Sequence, residues 1–193
     1  MPRNRRPQDR EEKREEIIAA AQCLFIGDGY EQASMAQIAR SSGVTVNTIY
    51  WYFRDKDELL IAVLDRLLAQ ALTEYTTIAD QPLSDRLLWL VDQLERLHGL
   101  VNTVHTRASA STAVDAWHAG FHRLAETWFA DDLREAGATE TDLAAVTAIG
   151  TFVIEGMLTH PRDQAAKRAI IDLLVRSLPA AFQGPANTPG RPA

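Results

Sequence analysis

Apolar residues recur at helical spacing in successive segments of the chain, which predicts an all-α protein. The first segment, 11–26, ends before Gly27 and Gly29, and glycine is typical of the residue that follows a helix. Two shorter segments, 35–42 and 46–52, complete an N-terminal three-helix bundle. The remaining segments predict a larger helical domain, with helices at 57–75, 83–105, 113–135, 140–159 and 163–182.

The two short helices and the residues between them have the pattern of a helix-turn-helix. Ser34 and Thr45 precede the two helices, and their hydroxyl groups suit them to cap the first N–H groups. Gly43 lies between the helices and permits a sharp turn with positive φ. A helix, a short glycine-containing turn and a second helix form the motif that enters the DNA major groove.

The second short helix has an outer face suited to DNA. Thr45, Asn47 and Thr48 place short hydrogen-bonding side chains near its N-terminus, where a recognition helix meets base edges. Three aromatic residues follow at 50–52, and successive helical residues are about 100° apart. They therefore cannot all point into the core. At least one faces solvent or a partner, and we interpret that partner as DNA.

The segment from Gly43 to Leu59 resembles the signature of the TetR family of bacterial transcriptional regulators. The residues that carry the resemblance are Gly-Val-Thr-x-x-Thr-Ile-Tyr-x-Tyr-Phe-x-x-Lys-x-x-Leu. The resemblance implies a helix-turn-helix domain at 11–56 and a helical ligand-binding and dimerisation domain at 57–183. It further implies a ligand-responsive regulator, most often a repressor, that binds a near-palindromic operator as a homodimer. The alternative is an activator, or a ligand-independent regulator, of the same fold.

The same resemblance implies which residues contact DNA. Those expected near bases are Thr45, Asn47, Thr48, Tyr50 and Trp51, and those expected at phosphates are Ser34, Thr45, Tyr52 and Lys56. Val46 is also expected to contact DNA. Position 36 departs from the pattern, because it is Ala36 where some members of the family carry an arginine that reaches a base. Specificity is therefore expected to depend more heavily on 46–51.

The charge distribution agrees with a DNA-binding N-terminus despite the net charge of −6. Residues 1–56 hold nine Lys and Arg against eight Asp and Glu, a balance of +1, whereas 57–193 hold eleven against eighteen, a balance of −7. Four arginines lie within 1–10, which predicts a disordered basic arm that follows phosphates or enters a minor groove. A solubilising tail is the alternative interpretation. Residues 184–193 are also predicted to be disordered.

Other classes of protein have little support in the sequence. There is no nucleophile elbow, P-loop, dinucleotide fingerprint or metal-ligand cluster, so we predict no enzyme, no catalytic residues, no cofactor and no metal site. Cys23 is the only cysteine, which excludes an internal disulfide. No apolar run approaches the roughly 18 residues of a membrane span, so we expect a cytoplasmic protein without membrane contact.

The second domain contains two further candidate sites. An apolar and aromatic stripe between helices 83–105 and 113–135 predicts a pocket for a small hydrophobic or aromatic effector. Its expected lining is Leu94, His98, Val101, Trp117, Phe121, Trp128 and Glu155. A packed core is the alternative for the aromatic residues, and hydrogen-bonded boundary residues are the alternative for the histidines. The apolar helices 140–159 and 163–182 are expected to form the homodimer, with an intramolecular core as the alternative.

Overall fold

The computed structural model describes residues 7–135 and 138–182, and it confirms the all-α class over these residues. The described residues form the helices α1 (Pro7–Gly27), α2 (Met35–Ser41), α3 (Val46–Tyr52), α4 (Lys56–Thr76), α5 (Leu83–Arg96), α6 (His98–Ala108), α7 (Thr112–Glu135), α8 (Glu140–Thr159) and α9 (Gln164–Phe182).

The first helix begins earlier than predicted. α1 starts at Pro7 rather than at Glu11, so 7–10 belong to a helix and not to the basic arm. Proline suits a first helical position, because the N–H group that it lacks has no partner there. The acidic Asp9 in the first turn also favours a helix start. The rest of the predicted arm, 1–6, and the predicted tail, 184–193, lie outside the described residues.

The single helix predicted at 83–105 is wrong. α5 ends at Arg96 and α6 begins at His98, because Leu97 leaves the helical region with φ −105° and ψ 17°. Gly99 lies in the first turn of α6, and glycine is a poor helix former. Leu94 and Val101 keep helical spacing across the break. The apolar pattern of the sequence therefore gave no sign that one helix ends and another begins at Leu97.

The described residues divide into two compact units. The first comprises 7–77 and 97–120, and the second comprises 78–96, 121–135 and 138–182. This division differs from the predicted boundary after residue 56, since α4, α6 and the first part of α7 group with α1 to α3. One core explains this grouping. Its largest fully buried side chains are Ile17, Ile18, Phe25, Ile38, Ile49, Phe53, Leu59, Leu60, Val63 and Val114, and Leu100 and Val104 of α6 join the same cluster.

The second unit has its own core and a set of ion pairs. Leu87, Leu88 and Val91 of α5 pack with Met157 of α8 and Ile171 of α9. Charged residues reinforce the contact between α5 and α9. Lys167 is buried and binds Glu95 and Asp92, Arg168 binds Asp85 at 2.5 Å, and Arg86 binds Asp132 of α7.

α8 is unusually apolar for a helix with so little burial. Its segment Asp142–Thr159 has the length and hydropathy of a membrane span, yet only 11% of that segment is buried. Asp142 and Glu155 are the only two charged residues of this segment. Ile149 and Phe152 are large apolar side chains exposed on this helix.

Candidate nucleic-acid interface and apolar cavity

A capping box fixes the start of α2. The Ser34 hydroxyl accepts a hydrogen bond from the Gln37 N–H at 3.2 Å, and the Ser34 N–H donates to the Gln37 side-chain oxygen at 2.8 Å. Two donors that would otherwise lack partners are thus satisfied reciprocally. Ile38 and Ala39 are buried against the first core, which orients the helix.

The turn between α2 and α3 depends on Gly43. Its φ is +65°, in the left-handed region that glycine adopts without steric cost. The turn is tied to α2 by backbone hydrogen bonds, from the Gly43 N–H to the Arg40 carbonyl at 3.3 Å and from the Val44 N–H to the Ala39 carbonyl at 2.9 Å. A side chain at position 43 would strain the backbone that sets the angle between the helices.

Thr45 caps α3 as predicted, and Ile49 anchors it. The Thr45 hydroxyl accepts from the Thr48 N–H at 3.2 Å and lies 2.9 Å from the Thr48 hydroxyl. Ile49 is fully buried, so the opposite side of α3 is turned to solvent. Asn47 on that side is exposed, and Tyr50 and Trp51 are 51% and 60% exposed.

Trp51 contacts two neighbouring side chains. Tyr52 packs against it edge-on with ring centroids 4.7 Å apart, and the Arg10 guanidinium lies 4.4 Å from the Trp51 ring centroid. A cation over an aromatic face is attracted by the ring quadrupole. Arg10 thus connects the start of α1 to the exposed face of α3. From the sequence, Arg10 was expected only in a general basic arm, and no sequence pattern pairs it with Trp51.

A partly buried polar cluster lies immediately after α3. Asp57 in the first turn of α4 accepts hydrogen bonds from the Tyr30 hydroxyl at 2.5 Å and from Arg107 of α6 at 2.5 and 3.1 Å. Burial works to raise the pKa of Asp57, but hydrogen bonds from Arg107, Tyr30 and Ser111 outweigh it and hold that pKa below its usual value. Burial, together with the hydrogen bond to Asp57, raises the pKa of Tyr30. We call Tyr30, Asp57 and Arg107 the Asp57 cluster.

Lys56 is partly covered by this cluster. Its ammonium group lies 4.1 Å from the centroid of the Tyr30 ring. Burial lowers the pKa of Lys56, although nearby Glu31 partly opposes this. The charge is therefore fixed in position beside α3, rather than carried on a freely moving side chain.

The residues predicted to contact DNA fall into two groups. Ser34, Thr45, Asn47, Tyr50 and Trp51 are exposed, whereas Val46, Thr48, Tyr52 and Lys56 are half-buried. Val46 and Tyr52 pack against the first core, so part of each side chain also supports α3. All nine come from one continuous segment of the first unit, 34–56.

Comparison with known proteins agrees with this geometry. Residues 17–63 match the model of the TetR family of bacterial regulatory proteins, and they run from the second half of α1 through α3 into the first part of α4. This match supports a regulator of the TetR family.

Similarity to known proteins extends beyond the N-terminal region. It is 28% identical over 179 residues to the transcriptional repressor KstR of Mycolicibacterium smegmatis, covering 86% of this chain and 87% of KstR. It is 48% identical to the regulator SrpR of Pseudomonas putida over 54 residues, which are only 28% of this chain and 25% of SrpR. A TetR-family regulator structure from Mesorhizobium loti has the same fold, with a TM-score of 0.69, 23% identity and coverage of 89% and 96% of the two chains.

The second unit contains an apolar cavity of about 80 Å³. Its lining comes from α5, α7, α8 and α9: Leu83, Leu87, Leu90, Ala125, Phe129, Leu133, Val146, Thr147, Gly150, Thr151, Ile154 and Leu174. The Thr147 hydroxyl donates to the Leu143 carbonyl at 2.7 Å, so its donor is already satisfied. The cavity thus presents almost entirely apolar surface.

None of the seven predicted ligand residues lines this cavity. His98, Val101 and Trp117 belong to the first unit, and Leu94, Phe121, Trp128 and Glu155 belong to the second. Trp117 packs against the first core and donates from Nε1 to the Asp65 carboxylate at 2.7 Å. Glu155 lies 3.9 Å from the His122 imidazole. On α7 the cavity is lined by Ala125, Phe129 and Leu133, which form the apolar stripe next to the one at Phe121 and Trp128. The spacing of apolar residues in the sequence does not distinguish these two stripes.

Proposed function

We propose that this TetR-family protein is a transcriptional repressor that binds a near-palindromic operator as a homodimer and is released by a small apolar ligand. The exposed face of α3 carries this proposal. A buried Ile49 and a capped N-terminus hold the helix, while Asn47, Tyr50 and Trp51 are exposed. The protein acts in the cytoplasm, where its operator is located.

Base recognition is assigned to Thr45, which caps α3, and to side chains of α3 itself. The Asn47 amide and the Thr45 and Thr48 hydroxyls match the donor and acceptor pattern of base edges in the major groove. Tyr50 and Trp51 supply aromatic surface for the same groove. Ser34, Tyr52 and Lys56 are assigned to phosphates, which fix register without reading sequence.

The homodimer is assigned to α8 and α9. Ile149, Phe152 and Leu173 expose large apolar side chains on these helices, and Phe152 is 71% exposed. A two-fold dimer buries one such patch against its own copy, and it presents two recognition helices to an operator of matching symmetry.

The ligand site is assigned to the apolar cavity, in preference to the residues predicted from the sequence. A cavity of about 80 Å³ is smaller than the engineered cavity of about 150 Å³ that admits benzene. A ligand must therefore widen the space between α5, α7, α8 and α9 in order to enter. Such a ligand binds the widened conformation more tightly, which is the condition for shifting a conformational equilibrium. The lining favours an uncharged hydrocarbon or aromatic molecule over a sugar or nucleotide.

Retardation of a DNA fragment from the region upstream of the protein's own coding sequence tests the DNA-binding part. We expect a discrete complex that an unlabelled copy of the fragment displaces and that unrelated DNA does not. A promoter fusion then separates the two transcriptional outcomes, since a repressor lowers reporter output and an activator raises it. Equal affinity for the upstream fragment and for unrelated DNA would contradict the proposal.

Filling the cavity tests the ligand part separately. Ala125→Phe places a ring into the cavity, while Ala116→Phe makes the same change at an exposed position of α7. We expect Ala125→Phe to retain operator binding and lose release by apolar compounds that act on the wild type, with Ala116→Phe unchanged. An Ala125→Phe variant that still responds fully would place the ligand elsewhere, with the stripe at Phe121 and Trp128 as the next site to substitute. If no compound releases the wild type, the ligand-independent alternative is supported.

A further inference from the structure

Two histidines of the first unit lie side by side although they are distant in sequence. His105 is in the last turn of α6 and His118 is in the second turn of α7. Their ring centroids are 4.8 Å apart, with the ring planes tilted by 55°. Their ligand nitrogens lie within 4.8 Å of each other. His105 is exposed and His118 is half-buried, so solvent ions reach the pair.

The fold creates this pair, and the sequence pattern suggested different ones. By spacing alone, His98 pairs with His105 along one stripe, and His118 pairs with His122 one turn apart. The short connection 109–111 instead folds α7 back beside α6 and brings His105 to His118.

We propose that His105 and His118 together bind a divalent transition-metal ion of the zinc, nickel or copper class. Neutral imidazole nitrogens are good ligands for these ions and poor ones for calcium or magnesium. Small rotations of the two side chains bring both nitrogens to about 2.0–2.1 Å from a zinc ion. Two protein ligands leave the other coordination positions to water, so the bound ion exchanges readily and is not a permanent structural centre.

A bound ion acts on helices that hold α4. Arg107, two residues after His105, binds Asp57 at the start of α4, and Trp117, adjacent to His118, donates to Asp65, about two turns further along α4. An ion bridging His105 and His118 ties these two attachments together. We therefore expect the ion to stabilise the first unit. This inference does not depend on the proposed ligand cavity or on operator binding.

Calorimetric titration of the folded protein with zinc or nickel chloride tests the proposal. The five histidines are at positions 98, 105, 118, 122 and 160, which gives a matched set of single variants. We expect one ion per chain in the wild type. Binding should weaken at least tenfold in His105→Ala and in His118→Ala, and it should stay unchanged in His98→Ala and His160→Ala. Calcium and magnesium should give no heat of binding.

A second measurement keeps the test independent of any folding defect. Zinc should raise the thermal unfolding midpoint of the wild type and of His98→Ala, but not that of His105→Ala, whose exposed side chain is removable without loss of core packing. If His122→Ala abolishes binding while His105→Ala leaves it intact, the site is the pair on α7 and the proposal is wrong. Unchanged binding in the double variant His105→Ala/His118→Ala, or no binding by the wild type, would also overturn it.

Discussion

Two surfaces of this protein expose large apolar side chains, and their surroundings differ. On α3, Trp51 lies beside the hydrogen-bonding residues Thr45 and Asn47, with the Arg10 guanidinium over its ring. On α8, Phe152 lies in an 18-residue segment that has only two charged residues. Exposure alone is therefore a poor guide to the partner. Polar and cationic neighbours suit a surface to the grooves and phosphates of DNA, whereas a continuous apolar face suits it to another protein surface.

The difference has an energetic basis. DNA binding gains much of its free energy from phosphate contacts, so an aromatic residue there serves mainly to fit and position. A dimer interface instead gains free energy as apolar area leaves water. A charge introduced into the apolar face of α8 should therefore weaken dimer formation, whereas removal of a charge beside α3 should weaken DNA binding.

The largest effect is expected from Phe152→Glu. In a symmetric dimer the substitution puts like charges into an apolar seam, and an uncompensated buried charge costs about 3–5 kcal/mol. We expect loss of the dimer in sedimentation velocity, together with loss of tight operator binding. Ile26→Glu is the matched control, because Ile26 is also an exposed apolar residue but lies on α1. A Phe152→Glu protein that remains dimeric would place the interface elsewhere.

A smaller loss is expected from Asp57→Asn, which removes the charge that Tyr30 and Arg107 bind. Hydrogen bonds to charged groups contribute about 1.5–3 kcal/mol each, so the free energy of unfolding should fall by about that amount at pH 7. Denaturant titration checks this, with the exposed Asp80→Asn as control. An unchanged midpoint for Asp57→Asn would show that the cluster adds nothing to stability.

The same variant has a predicted pH dependence. The pKa of Asp57 is lowered by folding, so its contribution is present above the unfolded pKa of about 3.9 and is lost as the pH falls through the folded pKa. The difference in unfolding free energy between wild type and Asp57→Asn should therefore shrink as the pH is lowered below about 4. A difference that grows at acid pH would contradict the assignment.

A sequence-selective effect is expected from Asn47→Ala. Loss of a good base contact costs about 1–3 kcal/mol of discrimination, so binding should become more tolerant of substitutions at one or two base pairs. Fluorescence anisotropy with a set of single-substituted operators measures this, and Asn102→Ala on α6 is the control. If Asn47→Ala weakened binding to every operator by the same factor, Asn47 would contact a phosphate rather than a base.

The smallest effect is expected from Lys56→Ala. Removal of one phosphate contact should lower the slope of log affinity against log salt by about one unit, with the order of preferred operators unchanged. Lys56→Arg should retain the slope because it retains the charge. A changed preference among operators would show that Lys56 reads sequence.

Local sequence patterns predicted the parts of this structure that depend on local interactions. The caps at Ser34 and Thr45 and the turn at Gly43 were each visible in a few adjacent residues, and they are present as predicted. The family and the all-α class followed from such patterns too. In each case a residue type and its immediate neighbours determine the conformation.

Features that depend on packing were not predictable from spacing. Arg107 and Asp57 are 50 residues apart, and His105 and His118 meet only because α7 folds back beside α6. The break at Leu97 was missed because an apolar stripe continued through it. The cavity lining was missed for a related reason, since two adjacent stripes of α7 are both apolar and only packing decides which one faces α5.

Selection of duplexes from a random DNA library by the wild-type protein tests recognition of DNA by α3 most directly, because the selection itself reveals the operator sequence. We expect an enriched near-palindromic motif whose half-sites are centred about 10 base pairs, or a multiple of that, apart. We further expect Asn47→Ala to relax one or two positions in each half-site. Recovery of no motif, or of a motif that substitutions across α3 leave unchanged, would contradict recognition of DNA by this helix.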